Sequence, residues 1–324
     1  MKKTFEGTIH KKVPENWNQL ISGNFWMNKK VLDIIKISSN TAFVCVTHQD
    51  YVCCEYKMLM NIFSFNKFRL SIPFNVIGLP ISVSSCGYCG DLYSLINDYK
   101  KRRGLFLILN IDDIPKVSHD IATGQTLATC LFENNYQTFE DYMSYLRSNY
   151  RRRILIALNK GKNLTIKKIE NKDFTHQHHA LYLNVLAKSK YPLETLGIEF
   201  FRSCNGEIYV FYEKDEPLAF IMISINGDCL NFIFGGMEYN KRDEFDLYYN
   251  MLLKIVKIGI ERKVKTIDFG QTAEHTKCRI GCKISEKYLC VFSKYKLLNF
   301  IIKKLSKFLQ YQKLDKKYKS LKDC

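Results

Sequence analysis

Residues 267–277 read Ile-Asp-Phe-Gly-Gln-Thr-Ala-Glu-His-Thr-Lys. The apolar run Val264–Phe269 predicts a buried strand, and the polar residues after it predict a loop or short helix at the carboxyl end of that strand. Polar side chains at the carboxyl ends of strands line the crevices of α/β sheets. We therefore expect an α/β fold, with its best candidate site at 268–277.

The segments around this stretch repeat an α/β plan. Three strands joined by short turns, one of them the hairpin signal Asn226-Gly227, predict an antiparallel meander. It comprises Glu207–Tyr212, Pro217–Ile225 and Cys229–Gly235. Further strands are expected at Val31–Ser38, Ala42–Val46, Leu105–Ile111, Leu164–Ile169 and Tyr288–Phe292. Helices are expected at Asp91–Arg103, from Thr138 to Asn159 with a break near Ser148-Asn149, at Thr175–Ala187, at Asp243–Arg262 and at Lys294–Tyr311.

The chain has 324 residues, which suggests two domains. From Arg147 to Lys168 there are eight Lys and Arg residues and no acid. This shift in composition predicts a junction near residues 135–160, with an N-terminal domain at 1–145 and a C-terminal domain at 146–324.

The composition indicates where the protein is located better than it indicates which reaction it catalyses. Twelve cysteines without a preceding secretory signal predict free thiols and a cytoplasmic location. We expect no transmembrane segment, because no apolar run reaches the length that a span needs. The motif Cys86-Gly-Tyr-Cys89 has no second pair, so no metal site is predicted. The formal net charge of +17 fits either a Lys-rich surface or an anionic partner.

Three stretches together resemble the GNAT acyltransferase superfamily, and more narrowly its two-domain, Fem-like branch, which includes peptidoglycan-bridge aminoacyltransferases. They are residues 139–153, Leu230-Asn-Phe-Ile-Phe-Gly-Gly-Met237 with Leu247-Tyr-Tyr249, and 267–277 with Gly281. The resemblance covers roughly residues 70–292. It implies two tandem GNAT-like domains with mixed, largely antiparallel sheets flanked by helices.

The resemblance also implies where a donor would bind. In the GNAT fold a β-bulge splays two strands, so that the open edge of Leu230–Gly235, with Asn231 and Ile233, would pair with an amide-bearing arm such as pantetheine. Gly235-Gly236 would permit close approach of that arm. A helix beginning near Arg242-Asp243, with Lys241 and Arg242, would hold a pyrophosphate. The alternative is an ordinary turn and an ordinary basic surface. The chain lacks the glycine-rich helix start of typical GNATs, so the donor stays open between acyl-CoA, an acyl-carrier protein and an aminoacyl-tRNA.

Candidate catalytic residues lie in 268–277. Glu274 or His275 is expected to act as general base on the incoming amine, and Lys277 to stabilise an oxyanion or bind phosphate. Asp268, Gln271 and Thr272 are expected to orient substrate. The alternative is structural, with Glu274 paired to Lys277 and His275 packed on an aromatic ring.

We therefore expect an N-acyltransferase that moves an acyl group from an acyl-CoA or acyl-carrier protein co-substrate to an amine of a small molecule or peptide, with no tightly bound cofactor. A tRNA-dependent aminoacyltransferase, served by the basic residues 147–168, and a non-catalytic binding module are the alternatives. The amphipathic tail helix is expected to dock on the second domain, or alternatively to contact a membrane surface or a partner.

Overall fold

The computed structural model describes residues 4–21, 23–61, 70–113, 118, 120–189, 194–309 and 318–322, and the side chains of all of these except 306–309. Two compact units divide the chain. The first comprises Met1–Ala128 with Glu286–Lys313, and the second comprises Thr129–Ser285 with Leu314–Cys324. These units differ from the expected division into 1–145 and 146–324, because the chain crosses from one unit to the other inside two strands.

The elements follow one another in a mixed order. The first part contains β1 (Thr8–His10), α1 (Trp17–Leu20), α2 (Lys29–Ser38), β2 (Phe43–Thr47), β3 (Tyr51–Asn61), β4 (Ser71–Ile77), β5 (Tyr88–Gly90), α3 (Leu92–Tyr99), β6 (Leu105–Ile111) and the crossing strand β7 (Ala122–Glu133). Then come α4 (Phe139–Tyr145), α5 (Ser148–Lys160), β8 (Thr165–Ile169), α6 (His176–Lys188), α7 (Ile198–Ser203), β9 (Glu207–Glu213), β10 (Glu216–Asn226), β11 (Cys229–Met237), α8 (Leu247–Glu261), β12 (Thr266–Gln271) and α9 (Glu274–Arg279). The second crossing strand β13 (Lys283–Ser293) and α10 (Lys296–Leu309) complete the order.

Both units are built on the same sheet plan. The first has the order β1-β2-β3-β4-β6-β13 and the second the order β7-β12-β11-β10-β9-β8. Among the described pairings, each unit has one parallel pair, β4 with β6 and β11 with β12, and its other neighbours are antiparallel. A helix, α3 or α8, lies between the two parallel strands in the sequence, as a parallel crossover requires. The predicted α/β class with mixed, largely antiparallel sheets is confirmed.

The strand beyond each parallel pair comes from the other half of the sequence. In the first unit β6 pairs with β13, and in the second unit β12 pairs with β7. The core of the first unit accordingly includes Cys290 and Phe292 from β13, both 0% exposed. The core of the second unit likewise includes Cys130 and Phe132 from β7. Each unit therefore needs a strand from the other half of the chain to complete its sheet and core.

A buried carboxylate ties the N-terminal segment to the first unit. Asp98 on α3 is 3% exposed and accepts hydrogen bonds from the Tyr51 hydroxyl at 2.7 Å and from the backbone N–H groups of Glu6 and Gly7 at 2.9 and 3.0 Å. Burial acts to raise the pKa of Asp98, but these hydrogen bonds and one from Lys101 outweigh it, so the pKa is lowered. The anionic carboxylate is thus a structural part of this unit.

Most local signals in the sequence hold in the structure. The side chain of Asp91 caps α3 by accepting from the N–H of Ser94, and that of Thr138 caps α4 by accepting from the N–H of Asp141. The predicted break near Ser148 separates α4 from α5, and Gly161 ends α5. The predicted meander is β9, β10 and β11, with antiparallel pairing throughout.

One predicted element is wrong in type, and others differ in extent, α8 among them. The segment Val31–Ser38 is not a strand but most of helix α2, because its apolar side chains at 31, 32, 34 and 35 share a helical face and Asn28 caps the helix. The long helix α8 begins at Leu247 rather than near Arg242-Asp243. The reason is Asp246, whose backbone φ of 47° lies in the left-handed region and interrupts the helical path.

Candidate functional site

The central feature of the second unit is a parallel strand pair that separates. β11 and β12 pair only at Cys229–Thr266, Leu230–Ile267 and Asn231–Asp268. Beyond this point β11 continues beside β10, with a bulge at Ile233, because Ile223 pairs with Phe232 while Met222 pairs with Phe234. β12 continues beside β7. Among the described strands, none pairs with the edge of β11 from residue 232 to residue 237 on the β12 side, so the predicted splay and bulge are confirmed.

The end of β12 and the turn that follows it have an unusual backbone. Gly270, Thr272 and Ala273 have φ values of 70°, 63° and 50°, all in the left-handed region. For residues with a Cβ this conformation costs about 1–2 kcal/mol each. Such strain persists only where neighbouring groups enforce it, and it concentrates at functional sites. We call residues 270–273 the β12 loop.

Asp268 holds one end of the β12 loop. Its Oδ1 accepts a hydrogen bond from the Thr129 hydroxyl at 2.6 Å and another from the N–H of Gly270 at 2.7 Å. Asp268 was predicted to orient substrate, whereas here its carboxylate organises the backbone just before the strained residues. Sequence reasoning missed Thr129, because nothing in the local pattern of β7 marks it and its role depends on the pairing of β7 with β12.

Lys277 holds the other end. Its side chain is 2% exposed, and its Nζ donates to the carbonyl oxygen atoms of Gly270 at 3.0 Å and Gln271 at 2.7 Å. Burial lowers the pKa of Lys277, while the neighbouring thiols of Cys130 and Cys282 and the carboxylates of Asp268 and Glu274 act in the opposite direction. A buried amine with a lowered pKa beside a strained loop is the kind of group found in active sites.

The other predicted catalytic residues differ in exposure. Glu274, the first residue of α9, is buried at 6% exposure. His275 is exposed, and its Nδ1 is hydrogen bonded to the hydroxyl of Tyr318. Thr272 is exposed and Gln271 is partly buried. The structure thus brings Asp268, Gln271 and Lys277 together through the β12 loop, and the catalytic roles of Glu274 and His275 stay predictions.

The two glycines predicted to admit a donor arm are in close contact with helices. A Cβ on Gly236 would lie 2.5 Å from the backbone of Leu181 and Tyr182 in α6. A Cβ on Gly235 would lie 2.7 Å from the side-chain methyl of Met251 in α8. These glycines therefore allow α6 and α8 to approach β11 closely, whatever the strand edge binds.

The predicted phosphate site is locally acidic. Lys241 forms ion pairs with Glu244 at 3.1 Å and Glu213 at 3.4 Å, and Arg242 pairs with Asp243 at 2.8 Å. Residues 238–246 contain four acids and two bases. Both predicted cations thus have carboxylate partners, which reduces the positive potential in front of α8.

The three consecutive arginines of α5 have different environments. Arg153 forms a bidentate pair with Asp246, at 2.6 and 3.0 Å, and its guanidinium lies 4.0 Å from the centre of the Tyr249 ring. It therefore stabilises the start of α8 rather than presenting its charge to solvent. Arg152 is exposed and Arg151 is partly buried.

Within the described part of the chain, no group of three or more His, Cys, Asp or Glu side chains is arranged to hold a metal ion. The cysteines with described positions are free thiols.

No family model and no curated protein sequence matches this chain. Its fold, however, matches solved structures over most of their length. FemX aligns with a TM-score of 0.52 at 12% identity, over 87% of this chain and 95% of FemX. L-PGS from Bacillus licheniformis aligns with a TM-score of 0.52 at 9% identity, over 89% of this chain and 98% of L-PGS. The C-terminal DUF2156 domain of a protein described as a lysylphosphatidylglycerol synthetase, from Agrobacterium fabrum, aligns with a TM-score of 0.50 at 9% identity, over 85% of this chain and 95% of that domain. The chain therefore shares the fold of FemX and L-PGS, as its Fem-like resemblance predicted.

Proposed function

We propose that this chain is an N-acyltransferase that transfers an acyl group from an activated donor to an amine. The observation that carries the proposal is the separation of β11 from β12 after the pair Asn231–Asp268, next to the strained β12 loop. The free edge of β11 offers backbone N–H and C=O groups to an extended amide-bearing donor, in the manner of an added strand.

The reaction would proceed by direct attack. The acceptor arrives as an ammonium and must first lose a proton, which Glu274 or His275 would accept. The amine nitrogen then forms a bond to the acyl carbon, and the bond from that carbon to the donor's sulfur or oxygen breaks. The attacking nitrogen loses its second proton to solvent as the amide forms, and the leaving group takes up the proton that the base holds, so the reaction releases one proton overall.

Lys277 would act on this reaction mainly through the backbone. Its two hydrogen bonds to the carbonyls of Gly270 and Gln271 fix the β12 loop, and the charge of its protonated form would lie within 3.0 Å of the loop backbone. Positive charge held in a water-poor site stabilises negative charge that develops nearby in a transition state. This role includes the oxyanion function predicted from sequence, but assigns it to an organised loop rather than to Lys277 alone.

The donor is proposed to be an acyl thioester of CoA or of a carrier protein. A second candidate, an aminoacyl-tRNA, is favoured by a specific observation: Lys241 and Arg242 are paired with acids where a CoA pyrophosphate would lie. One structural neighbour is named for lysylphosphatidylglycerol, an aminoacylated lipid, which is consistent with this candidate. We place the reaction in the cytoplasm because the described cysteines are free.

Donor binding separates the two candidates. Thermal-shift titrations with acetyl-CoA, a long-chain acyl-CoA and bulk tRNA should each be run on the wild type and on the double variant Lys241→Glu/Arg242→Glu. A thioester donor whose phosphates lie at the start of α8 should bind several-fold more weakly to the variant. Equal affinity of both proteins at low salt would rule out this phosphate site.

Measurements of turnover test whether Glu274 or His275 acts as the general base. With the donor identified, Glu274→Gln or His275→Ala should lower turnover by roughly 10²-fold, the usual scale for a positioned acid or base. The matched control is His176→Ala, since His176 is an exposed histidine on α6 of the same unit. Full activity in a Glu274→Gln/His275→Ala double variant would defeat the assignment of both residues.

A further inference from the structure

Helix α10 in the first unit presents apolar side chains to solvent. Leu297 is 73% exposed, Phe300 55%, Ile301 46% and Leu305 43%. Single exposed apolar residues are normal on protein surfaces, but four on one short helix form a contiguous apolar surface that usually marks an interaction site. These four described side chains of the apolar face are therefore exposed, whereas the sequence favoured docking of this face on the second domain.

The buried side of the helix fixes its orientation. Asn299 is 1% exposed, its Oδ1 accepts from the N–H of Ser293 at 2.7 Å and its Nδ2 donates to the carbonyl of Ser293 at 3.0 Å. At about 100° per residue, Leu297 and Ile301 lie about 160° from Asn299 in either direction. The anchored face and the apolar face are thus on opposite sides of α10, so the exposure follows from how the helix is held.

The charged residues of α10 itself are all positive. Residues 296–309 contain four lysines and no acid. Lys296 and Lys304 are exposed, and the Nζ of Lys304 lies 4.6 Å from the centre of the Phe300 ring. Lysines bordering an exposed apolar stripe are typical of helices that lie in the interface of a lipid bilayer.

We propose that α10 binds flat on a membrane surface rich in anionic lipid. Leu297, Phe300, Ile301 and Leu305 enter the acyl-chain boundary, and Lys296 and Lys304 face the lipid phosphates. Charge favours this occupant over a second copy of the chain, because two such helices placed face to face would bring their lysines together without an acid between them. Among the described residues, no helix is long and apolar enough to cross a bilayer, so the contact is peripheral.

The proposal is independent of the acyl-transfer site, which lies in the second unit, and it is tested by vesicle sedimentation of the full chain. The probes are vesicles of phosphatidylcholine alone and vesicles of phosphatidylcholine and phosphatidylglycerol in equal parts. We expect binding to the anionic vesicles that weakens with added salt, and little binding to the neutral ones.

Two variants locate the contact. Leu297→Glu should lower the partition coefficient on anionic vesicles at least about tenfold, because an apolar side chain at the interface is replaced by a charge that the lipid repels. Lys296→Gln/Lys304→Gln should lower it roughly 25-fold, since each lysine near an anionic surface contributes about fivefold. The control is Ile37→Glu, because Ile37 on α2 is 76% exposed, belongs to the same unit and carries the same change of charge.

Exposed positions should leave folding intact, which circular dichroism and the thermal midpoint of each variant will check. Equal vesicle binding by the wild type, Leu297→Glu and Ile37→Glu would overturn the proposal, as would a wild type that does not bind anionic vesicles. Sedimentation equilibrium tests the alternative that α10 binds a second copy of the chain. A wild-type dimer that Leu297→Glu converts to a monomer, without vesicle binding, would show that α10 is a protein contact instead.

Discussion

Replacing Lys277 by Met tests whether a buried ammonium maintains the β12 loop. Met has a similar length and no charge, so the variant fills the space but cannot donate hydrogen bonds. The carbonyl oxygen atoms of Gly270 and Gln271 then lose their bonds of 3.0 and 2.7 Å to Nζ. Without those bonds, the left-handed conformations of Thr272 and Ala273 lose part of the support that holds them.

Opposing contributions set the size of the effect. Two hydrogen bonds from a charged donor are worth about 3–6 kcal/mol together. Against this, removing a buried ammonium also removes its desolvation cost of several kcal/mol, which is the main reason that its pKa is lowered. Relaxation of the strained loop returns about 1–2 kcal/mol more. With buried hydrogen bonds at the upper end of this range and a desolvation cost of about 3 kcal/mol, the net expectation is that the free energy of unfolding falls by about 1–2 kcal/mol.

The lowered pKa adds a pH dependence of known sign. At pH values below the folded-state pKa, Lys277 is charged in both the folded and the unfolded chain. Between that value and the ordinary 10.5, the unfolded chain binds more protons, so this lysine's contribution to the free energy of unfolding rises with pH. The stability difference between the wild type and Lys277→Met should therefore widen as the pH approaches 10.5.

Urea unfolding followed by circular dichroism, repeated across the alkaline range, measures both quantities. The control is Lys283→Met, because Lys283 is 67% exposed and its pair with Glu133 is a surface ion pair, worth about 0–1 kcal/mol. A Lys277→Met protein as stable as the control, or a stability difference that stays flat with pH, would refute the argument that this amine supports the loop. Loss of acyl transfer with the stability unchanged would instead place Lys277 in the chemistry alone.

Three further outcomes follow from packing, pairing and connectivity. Gly236→Ala should lower stability by about 1–3 kcal/mol in thermal unfolding, because its Cβ would lie 2.5 Å from the backbone of Leu181. Asp98→Asn should destabilise the first unit by about 2 kcal/mol at neutral pH. Because the pKa of Asp98 in the folded state is lowered from 3.8, its contribution to stability is lost as the pH falls through the folded-state pKa. The urea midpoints of the wild type and Asp98→Asn should therefore converge in acid. A chain truncated after residue 145 should fail to give a cooperative thermal transition, since it lacks β13 beside β6.

Each of these outcomes has a control. Gly78→Ala should be nearly neutral, because the closest atom to its Cβ would be 3.5 Å away. Asp228→Asn alters only an exposed pair with Lys265, so acid unfolding of this variant should follow the wild type. The truncated chain should be compared with co-expressed fragments 1–145 and 146–324. Two-state unfolding of the first fragment alone would contradict the claim that the first unit needs β13 from the other half of the chain.

Local chemistry in the sequence determined much of the fold. The caps at Asp91 and Thr138, the stop at Gly161 and the Asn226-Gly227 turn act through hydrogen bonds and backbone preferences within a few residues, so a reader of the sequence can place them. The separation of β11 from β12 was implied by the resemblance to the GNAT superfamily and not by local chemistry, and the structure has it. Where two local signals compete, as the β-branched content and helical spacing do in α2, the sequence alone favoured the wrong element.

The tertiary structure decided what depends on distant partners. It pairs β7 with β12 and β13 with β6, and so brings Thr129 to Asp268. It buries Lys277 against the carbonyls of the β12 loop, at 2% exposure. Nothing in the sequence around Lys277 indicates that this lysine would be buried. It leaves the apolar face of α10 exposed. The physical reason is common to all three: burial and strand pairing are set by residues far apart in the chain, and periodicity records only which side chains share a face, not what lies against it.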